Sequence, residues 1–420
     1  MTRIIGGGTR PRTTDDIDYI RPGSVRGHLR FWWRALQEPG LSSADLYEKE
    51  CALWGGATSA QSGGRSAVEL RIKVRKKVKG RKYAKDEQSQ ETIKKEGYVT
   101  WTIVDAGKSV EPGMTFTLTL IAPQDRMAEV RDSVAAWILF GGYGGRTRRG
   151  AGTLRPVDDD AARWLPRWDA NPQTFLSNLN AVLPNVRFGA DAGDASQTPS
   201  LYGADILVGP KPMAAMDAWH KVIACLQEFR QGASGNRGLR AREPGVTRDR
   251  PSISNWPEAD KVRQLPDDKE RHWSHRPRYN AQPAWPRAGF GLPIIGRFQR
   301  KSANHTPYTE PGDFTIGWID SGGTAMNRLA SPVIIKALPL ADGKFIPCVL
   351  WLRRAWPEGQ VGLQIKVQGK DTISEKSRAP FDRLLGDGDT ALFAPLEKPS
   401  LREAFLGWLV DIKKMKKVSP

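Results

Sequence analysis

Residues 23–36 read GSVRGHLRFWWRAL, and this stretch sets the first element of the fold. Ser24 is a residue type that caps helix N-termini, and Pro39 with Gly40 provides an end. Between these points the apolar residues recur at helical spacing, namely Val25, Leu29, Trp32, Trp33 and Leu36. The pattern predicts an amphipathic helix over residues 25–37 that packs its apolar side on a core.

Three arginines lie on another side of the same predicted helix. Arg26, Arg30 and Arg34 are spaced by four residues, which places them in one basic stripe. Since residues 25–37 contain no Asp or Glu to pair with them, we expect the stripe to bind an external anion such as a phosphate backbone. The alternative is a solvated helix face whose arginines cap a sheet edge or pair with acids elsewhere.

A second basic motif reads FGGYGGRTRRGAG, at residues 140–152. Glycines permit positive φ and close backbone approach, so successive N–H groups can form an anion-binding nest, with charge supplied by Arg146, Arg148 and Arg149. We expect Tyr143 to be exposed there and to stack on a base. The alternative is a glycine-rich turn with solvated arginines. The motif is not a Walker loop, because the Lys-Ser/Thr ending is absent.

A third motif combines glycines, apolar residues and basic residues in the second half of the chain. It reads GFGLPIIGRF at residues 289–298 and is followed by Arg300 and Lys301. Together with Arg328 and Lys336 it could extend a basic surface. An ordinary core strand explains the apolar residues equally well.

Catalytic and metal-binding patterns are weak. His28 lies within the arginine stripe and could act as a general base that activates a ribose 2′-hydroxyl, although a packed or ligand-contacting histidine is the simpler interpretation. His272 and His275 have metal-pair spacing, but no thiolate or acid pair completes a site. Acidic loops are the simplest interpretation of residues 15–18 and 158–160. The sequence therefore predicts no metal and no cofactor.

The remaining patterns predict a protein that mixes helices with antiparallel strands. In the first part they predict helices at 43–54 and 125–140 and strands at 68–75, 98–104 and 114–121. A ferredoxin-like β-α-β-β-α-β unit needs one more strand before Gly6, where residues 1–5 are available. In the second part they predict helices at 214–230 and 400–412 and strands at 329–340 and 345–353.

Composition points to a polyanionic partner. The 420 residues carry 64 Lys and Arg against 46 Asp and Glu, a net charge of +18, so nucleic acid is the leading candidate. Three scattered cysteines do not support a disulfide framework, which favours a reducing, cytoplasmic location. The longest apolar run, residues 134–140, is too short to span a bilayer, and the amino end lacks a signal-peptide core.

Three stretches resemble a known family. Residues 24–36 resemble the helix-one signature of the first subunit of Cmr complexes, the type III-B CRISPR RNA-guided effectors. Residues 141–152 resemble the glycine-rich loop found across the RAMP superfamily, and residues 329–336 are similar to a segment in the carboxyl half of the same Cmr subunit.

The resemblance implies an α+β fold of two ferredoxin-like (RRM-like) RAMP domains with long irregular insertions. We expect the first domain at residues 1–160, a linker at 161–199, and the second domain at 200–420 with a basic insertion at 237–287. It also implies RNA-binding residues on the helix and in the loop: Arg26, His28, Arg30, Arg34, Gly142, Tyr143, Gly144, Gly145, Arg146, Arg148 and Arg149.

The implied function is noncatalytic RNA binding within a type III-B effector, near the 3′ region of the guide, in antiviral defence. The implied partners are CRISPR RNA, target RNA and other Cmr subunits, with no membrane and no small-molecule substrate. The alternative is a metal-independent RAMP endoribonuclease that processes CRISPR RNA through His28.

Overall fold

The structure is a computed structural model. It describes residues 1–8, 13–15, 17–57, 64–78, 80–82, 95–100, 108–158, 160–189, 198–231, 256–264, 273–275, 285–298, 305–326, 328–356, 359–367, 370–377, 398 and 400–419. Most of the expected insertion at 237–287 lies outside the described residues, as do Arg300, Lys301 and His272.

The chain divides into two compact units, each built from separate stretches of sequence. The first unit consists of residues 1–226, 333–355 and 414–420, and the second of residues 227–332 and 356–413. The boundaries expected at residues 160 and 199 both fall inside the first unit.

The described residues form both helices and antiparallel strands, which confirms the α+β class. The helices are α1 (Pro22–Ala35), α2 (Ser43–Trp54), α3 (Met127–Phe140), α4 (Pro172–Val182), α5 (Ala215–Gln231), α6 (Pro257–Gln264) and α7 (Leu401–Asp411). The strands are β1 (Ile4–Ile5), β2 (Glu69–Lys76), β3 (Gly80–Lys82), β4 (Lys108–Val110), β5 (Thr115–Ile121), β6 (Ser200–Val208), β7 (Ile294–Gly296), β8 (Phe314–Asp320), β9 (Ala325–Met326), β10 (Val333–Pro339), β11 (Phe345–Arg353), β12 (Gly359–Val367), β13 (Lys370–Ser377) and β14 (Lys416–Lys417).

The main sheet of the first unit has four antiparallel strands in the order β10-β11-β6-β14. Every residue of β10 is buried, as are all but one of β11 and of β6, because neither face of this sheet is left to water. Its register sets Leu350 opposite both Ile334 and Ile206. Near-continuous apolar runs are why β10 and β11 could be predicted from sequence, whereas β6 and β14 were not predicted.

Helices α1 and α3 belong to the same core as this sheet. Both contribute fully buried tryptophans, Trp33 from α1 and Trp137 from α3, and the Trp33 indole N–H donates to Glu129 Oε2 at 2.9 Å. Helix α1 begins at Pro22, three residues before the expected start, and Ser24 is not its cap. Proline suits a first helical turn because its φ is already helical and its missing N–H would have no partner there.

Two smaller sheets complete the first unit. Strands β2 and β5 form an antiparallel pair, and β1 lies beside β4 with Ile4 opposite Val110, so the short strand expected before Gly6 is present. The strand expected at 98–104 is wrong in its described part, because residues 95–100 are helical. Glu96 and Thr100, one turn apart, are buried on that helical segment.

The expected linker at 161–199 contains α4. This helix is capped by Asn171, whose side chain accepts hydrogen bonds from the N–H groups of Gln173 and Thr174. Its buried residues Phe175 and Leu179 join the core of the first unit, so this stretch is part of the domain.

The second unit has its own sheet and core. Strands run in the order β13-β12-β8-β7, with β9 also paired to β8, and Phe314 and Ile316 of β8 are buried against Trp285 and Val262. Among the described helices of both units, none combines the length and apolarity required to cross a bilayer.

Candidate nucleic-acid interface

The arginine stripe of α1 is partly neutralised by a neighbouring helix. Arg30 Nε and Arg34 Nη1 both lie 2.5 Å from Oε1 of Glu50, which is 2% exposed on α2. The expectation of three arginines without an acidic partner is therefore wrong for two of them. One carboxylate serves two guanidinium groups, so the pair of arginines keeps one net positive charge.

Arg26 is held differently. Its Nη1 donates to the carbonyl oxygens of Trp54 and Val68, at 3.3 and 3.2 Å. Within the described ranges no carboxylate lies within ion-pair distance of Arg26. The guanidinium is thus oriented by neutral groups, which leaves its charge in place.

The glycine-rich loop, residues 141–152, is a tightly folded segment with little space for larger residues. Gly152 adopts φ +67°, and a Cβ there would lie 1.9 Å from the Tyr143 carbonyl oxygen. Gly150 adopts φ +80°, and a Cβ there would lie 2.6 Å from Trp219 Cδ1. Glycine is required at both positions by backbone conformation and by close packing together.

Hydrogen bonds fix this loop to the rest of the first unit. The N–H groups of Gly145 and Gly152 donate to the carbonyls of Ile5 and Arg3, and Trp219 Nε1 donates to the carbonyl of Arg149 at 2.7 Å. These N–H groups are consumed internally and do not form an open nest. The loop therefore acts as a rigid support for its arginine side chains.

Lys336 forms a hydrogen bond to the first residue of the glycine-rich loop. It lies in β10 at 1% exposure, and its Nζ donates to the Gly141 carbonyl. Burial lowers the pKa of this ammonium group to about 7. The expectation that Lys336 extends a basic surface is therefore wrong.

Tyr143 points into the protein. Its ring is fully buried, its hydroxyl accepts the Arg21 N–H at 2.9 Å, and burial raises its pKa. The expectation that this ring is exposed to stack on a base is wrong. The glycines on either side place Tyr143 against α1, where it anchors the loop.

His28 lies on the side of α1 that meets the loop. Its ring stacks on Trp137 with a centroid distance of 6.1 Å and meets Tyr143 edge-on at 6.0 Å. Burial lowers the pKa of the imidazole to about 4, so it is neutral at pH 7. The predicted residues are therefore split: His28 faces the loop, and the arginine stripe faces α2.

The loop arginines lie close to α1 as well. The Arg148 guanidinium sits over the ring of Phe31, 5.0 Å from its centroid, and burial lowers its pKa to about 10. Arg146 is exposed and adopts φ 60°, which turns the chain into the short 3-10 turn Thr147–Arg149. Gly142 and Gly144 lie beside them and leave no space for a Cβ without contacts near 2.8 Å.

Arg354 joins this group and was not predicted. It follows β11, and its pKa is lowered to about 10, mainly by burial and further by the nearby charge of Arg148. Both guanidinium groups remain protonated at pH 7. A pair of arginines at the end of a strand, Arg353-Arg354, was the only signal in the sequence.

Other predicted positions have structural roles in the described chain. Asp15 accepts the N–H groups of Ile17 and Asp18, which lowers its pKa, and His275 Nδ1 lies 2.5 Å from Glu310 Oε1. The described residues hold no group of three side chains suited to a metal ion. In the third motif Ile294 and Ile295 form β7, a strand of the second unit's sheet.

Residues 1–155 match the family model of the RAMP superfamily, which confirms the expectation of a RAMP region that includes α1 and the loop.

Two solved structures are similar to the chain. The apo crystal structure of Cmr1 from Pyrococcus furiosus has a TM-score of 0.46 and 15% identity over 85% of this chain and 88% of that one. The cryo-EM structure of the type III-B Cmr-beta bound to cognate target RNA has a TM-score of 0.45 and 12% identity over 84% and 94%. No curated protein matches the chain.

Proposed function

We propose that this protein is a noncatalytic RNA-binding subunit of a type III-B CRISPR effector, engaging target RNA near the 3′ region of the guide in antiviral defence. Its partners are CRISPR RNA, target RNA and other Cmr subunits, in the cytoplasm. The RAMP match over residues 1–155 supports the family, and the resemblance of residues 24–36 to the first Cmr subunit supports the place within it.

The proposal is carried by the packing of Arg148 on Phe31 next to Arg354. Burial lowers the pKa of both guanidinium groups, and the nearby charge of Arg148 lowers the pKa of Arg354 further. A phosphate placed against them would relieve this repulsion, and the fork of an arginine matches phosphate oxygens. Arg146, exposed on the same loop, adds a third charge.

A rigid loop suits a binding role. Its backbone is fixed by bonds to the carbonyls of Ile5 and Arg3, and Tyr143 locks it onto α1. The arginine side chains are therefore positioned before RNA arrives, so less conformational entropy is lost on binding.

The geometry of His28 argues against the nuclease alternative. An imidazole with a pKa of about 4 is a weak base at neutral pH, whereas efficient general bases have pKa values near the working pH. The check is incubation of the full chain with labelled CRISPR repeat RNA in EDTA. Cleavage that disappears in His28→Ala would establish the enzyme, and intact RNA supports the binding role.

The main test measures single-stranded RNA binding by fluorescence anisotropy over a salt series. For single strands the logarithmic salt slope is about −0.7 per neutralised phosphate. Arg148→Gln and Arg146→Gln should each make the slope shallower by up to about 0.7 and weaken binding roughly tenfold at low salt.

Arg34→Gln is the matched control, because Arg34 is paired with Glu50 and lies on the α2 side of α1. Its slope should equal that of the wild type. An unchanged slope in both loop variants, with melting curves that show them folded, contradicts the proposed strand contact.

A further inference from the structure

Residues 163–168 read RWLPRW and form a surface segment of the first unit that leads from the 3-10 turn Ala161–Trp164 toward α4. The middle pair, Leu165 and Pro166, is buried, while both arginines are exposed and both tryptophans are half-buried. Together with Arg131 of α3, we call Arg163, Trp164, Arg167 and Trp168 the tryptophan patch. Arginine and tryptophan are among the residue types most enriched at the energetic centres of protein interfaces.

The backbone of this segment is fixed by hydrogen bonds to two neighbouring elements. The Pro166 carbonyl accepts the N–H of Ala341 at 3.1 Å, in the turn that joins β10 to β11. The Arg167 carbonyl accepts Nδ2 of Asn178, on α4, at 2.9 Å. The exposed side chains therefore stand on an ordered backbone, so less conformational entropy is lost when a partner binds them.

The indole rings of the patch already have neighbours within the chain. The guanidinium groups of Arg131 and Arg163 lie over the ring of Trp164, 5.8 and 5.5 Å from its centroid. The ring of Trp168 meets Phe175 at a centroid distance of 5.1 Å. Trp164 is thus occupied by cations and differs from the open aromatic platforms on which single-strand binding proteins stack bases. A stacked arginine, in contrast, keeps its N–H edge for a carboxylate.

Charges of both signs surround the patch in equal number. Arg163 Nη1 lies 3.2 Å from Asp160 Oδ2, and Lys416 is brought to this surface by its bond to the Ala170 carbonyl. The described charges are Asp132, Asp158, Asp160 and Asp169 against Arg131, Arg163, Arg167 and Lys416. The whole chain carries +18, so this surface is locally neutral on a strongly basic protein. A neutral surface does not attract a polyanion, which favours a protein partner over RNA.

Arg167 is the residue of the patch that calls for a partner of opposite charge. No carboxylate of the described chain lies within ion-pair distance of it, and its side chain makes no hydrogen bond to a described residue. In sequence it stands between the two tryptophans. An exposed guanidinium beside large rings on a fixed backbone is typical of an interface anchor, in which the arginine pairs with a carboxylate and the rings pack on apolar groups.

We propose that the tryptophan patch is the docking surface for another protein subunit of the effector, which presents a carboxylate to Arg167 and apolar side chains to the exposed parts of Trp164 and Trp168. The inference rests on the proposed function, because the partner belongs to the same complex. The surface is separate from the strand contact, since no residue of the patch lies in the glycine-rich loop.

Hydroxyl-radical footprinting read by mass spectrometry tests the surface. The tagged full chain is purified from its own cell as the assembled complex, and oxidation of Trp164 and Trp168 is compared with that in the isolated chain. Both indoles should be oxidised at least about threefold more slowly in the complex, because an interface core excludes water. Saturating the isolated chain with single-stranded RNA should leave their oxidation unchanged.

A charge reversal tests the anchor. With Arg167→Glu, the companion proteins recovered per tagged chain should fall roughly tenfold, whereas Arg167→Lys should recover more of them than Arg167→Glu. Arg187→Glu is the matched control, because Arg187 is also an exposed arginine of the first unit, lies outside the patch and gives the same change in net charge. Its recovery should equal that of the wild type. Unchanged melting curves of the variants show that they are folded.

The outcomes separate this surface from the proposed function. Equal oxidation of both tryptophans in the isolated chain and in a complex that holds companion proteins and RNA overturns the docking surface and leaves the proposed function intact. Protection by RNA alone, or in a dimer of the isolated chain detected by light scattering, assigns the patch to RNA or to a second copy and also overturns it. Equal recovery with Arg167→Glu and Arg187→Glu rejects the anchor. A wild-type chain that recovers no companion protein contradicts the proposed function and the docking surface together.

Discussion

The buried Lys336, which bonds the glycine-rich loop, makes the stability of the folded protein depend on pH. Its ordinary pKa is 10.5, and burial in β10 lowers it to about 7. The folded protein therefore releases the proton at a lower pH than the unfolded chain does. Between these two values the unfolded state binds more protons, so stability contributed by this residue rises with pH.

Replacing this lysine should isolate the effect. Below pH 7 the wild type must bury an ammonium group, so Lys336→Met should gain its largest relative stability there. From pH 7 to 9 the free energy of unfolding of the wild type should rise relative to the variant by roughly 2 kcal/mol, which urea denaturation at several pH values measures. A difference between the two proteins that stays constant with pH would show that Lys336 does not titrate in this range.

The ion pairs of Arg30 and Arg34 and the burial of Tyr143 depend on contacts that local sequence patterns do not predict. The charges of Arg30 and Arg34 were assigned to the correct side of α1, but their partner was missed because Glu50 lies on the next helix. The i,i+4 rule considers only residues of the same helix, so it does not detect an acidic partner on another helix. The burial of Tyr143 was not predicted for a related reason. The glycines around it allow the ring to turn either outward or inward, and its packing against α1 determines that it turns inward.

Helices α1 and α2 are joined by the Glu50 carboxylate, and this pair of elements carries the next prediction. Glu50→Gln keeps the shape of the side chain and removes the charge that two guanidinium groups share. Arg30 and Arg34 are 26% and 33% exposed, so water compensates part of the loss. We expect a decrease of about 1–2 kcal/mol in the free energy of unfolding, measured by urea denaturation.

Glu69→Gln is the matched control for this variant. Glu69 also pairs with an arginine, Arg71, but both side chains are well exposed at 46% and 68%. Its removal should change stability by less than about 0.5 kcal/mol. Equal effects of the two substitutions would contradict a special role for the bridge between α1 and α2.

Elements with a strong period were predicted well, and those without one were not. The helix at 43–54 has the same limits in the structure, and the strands predicted at 114–121 and 345–353 differ by at most one residue. Residues 98–100 end the helical segment 95–100 but were expected to begin a strand, because Tyr98 and Val99 favour β structure in isolation. The burial of Glu96 and Thr100 depends on the complete fold and has no signal in the local sequence.

The whole molecule is assembled from distant stretches, which local patterns do not reveal. Strand β6 lies between β11 and β14, so residues 200–208 pair with residues 345–353 and 416–417. The core of the first unit likewise combines Leu29 of α1 with Ile206, Ile334 and Val418. A pairing over such separations depends on the complete fold and has no counterpart in a local sequence period.

This assembly predicts that residues 1–160 do not reach a native fold when expressed alone. Helices α1 and α3 would expose the apolar faces that β6 and β10 cover in the full chain, and a domain rarely tolerates so large an exposed patch. The fragment should retain helical far-ultraviolet circular dichroism but lose its near-ultraviolet signal, bind the dye ANS and unfold without a cooperative transition, in contrast to the full chain. Dispersed amide resonances and a cooperative urea transition in the fragment would instead show that the first 160 residues form an independent domain.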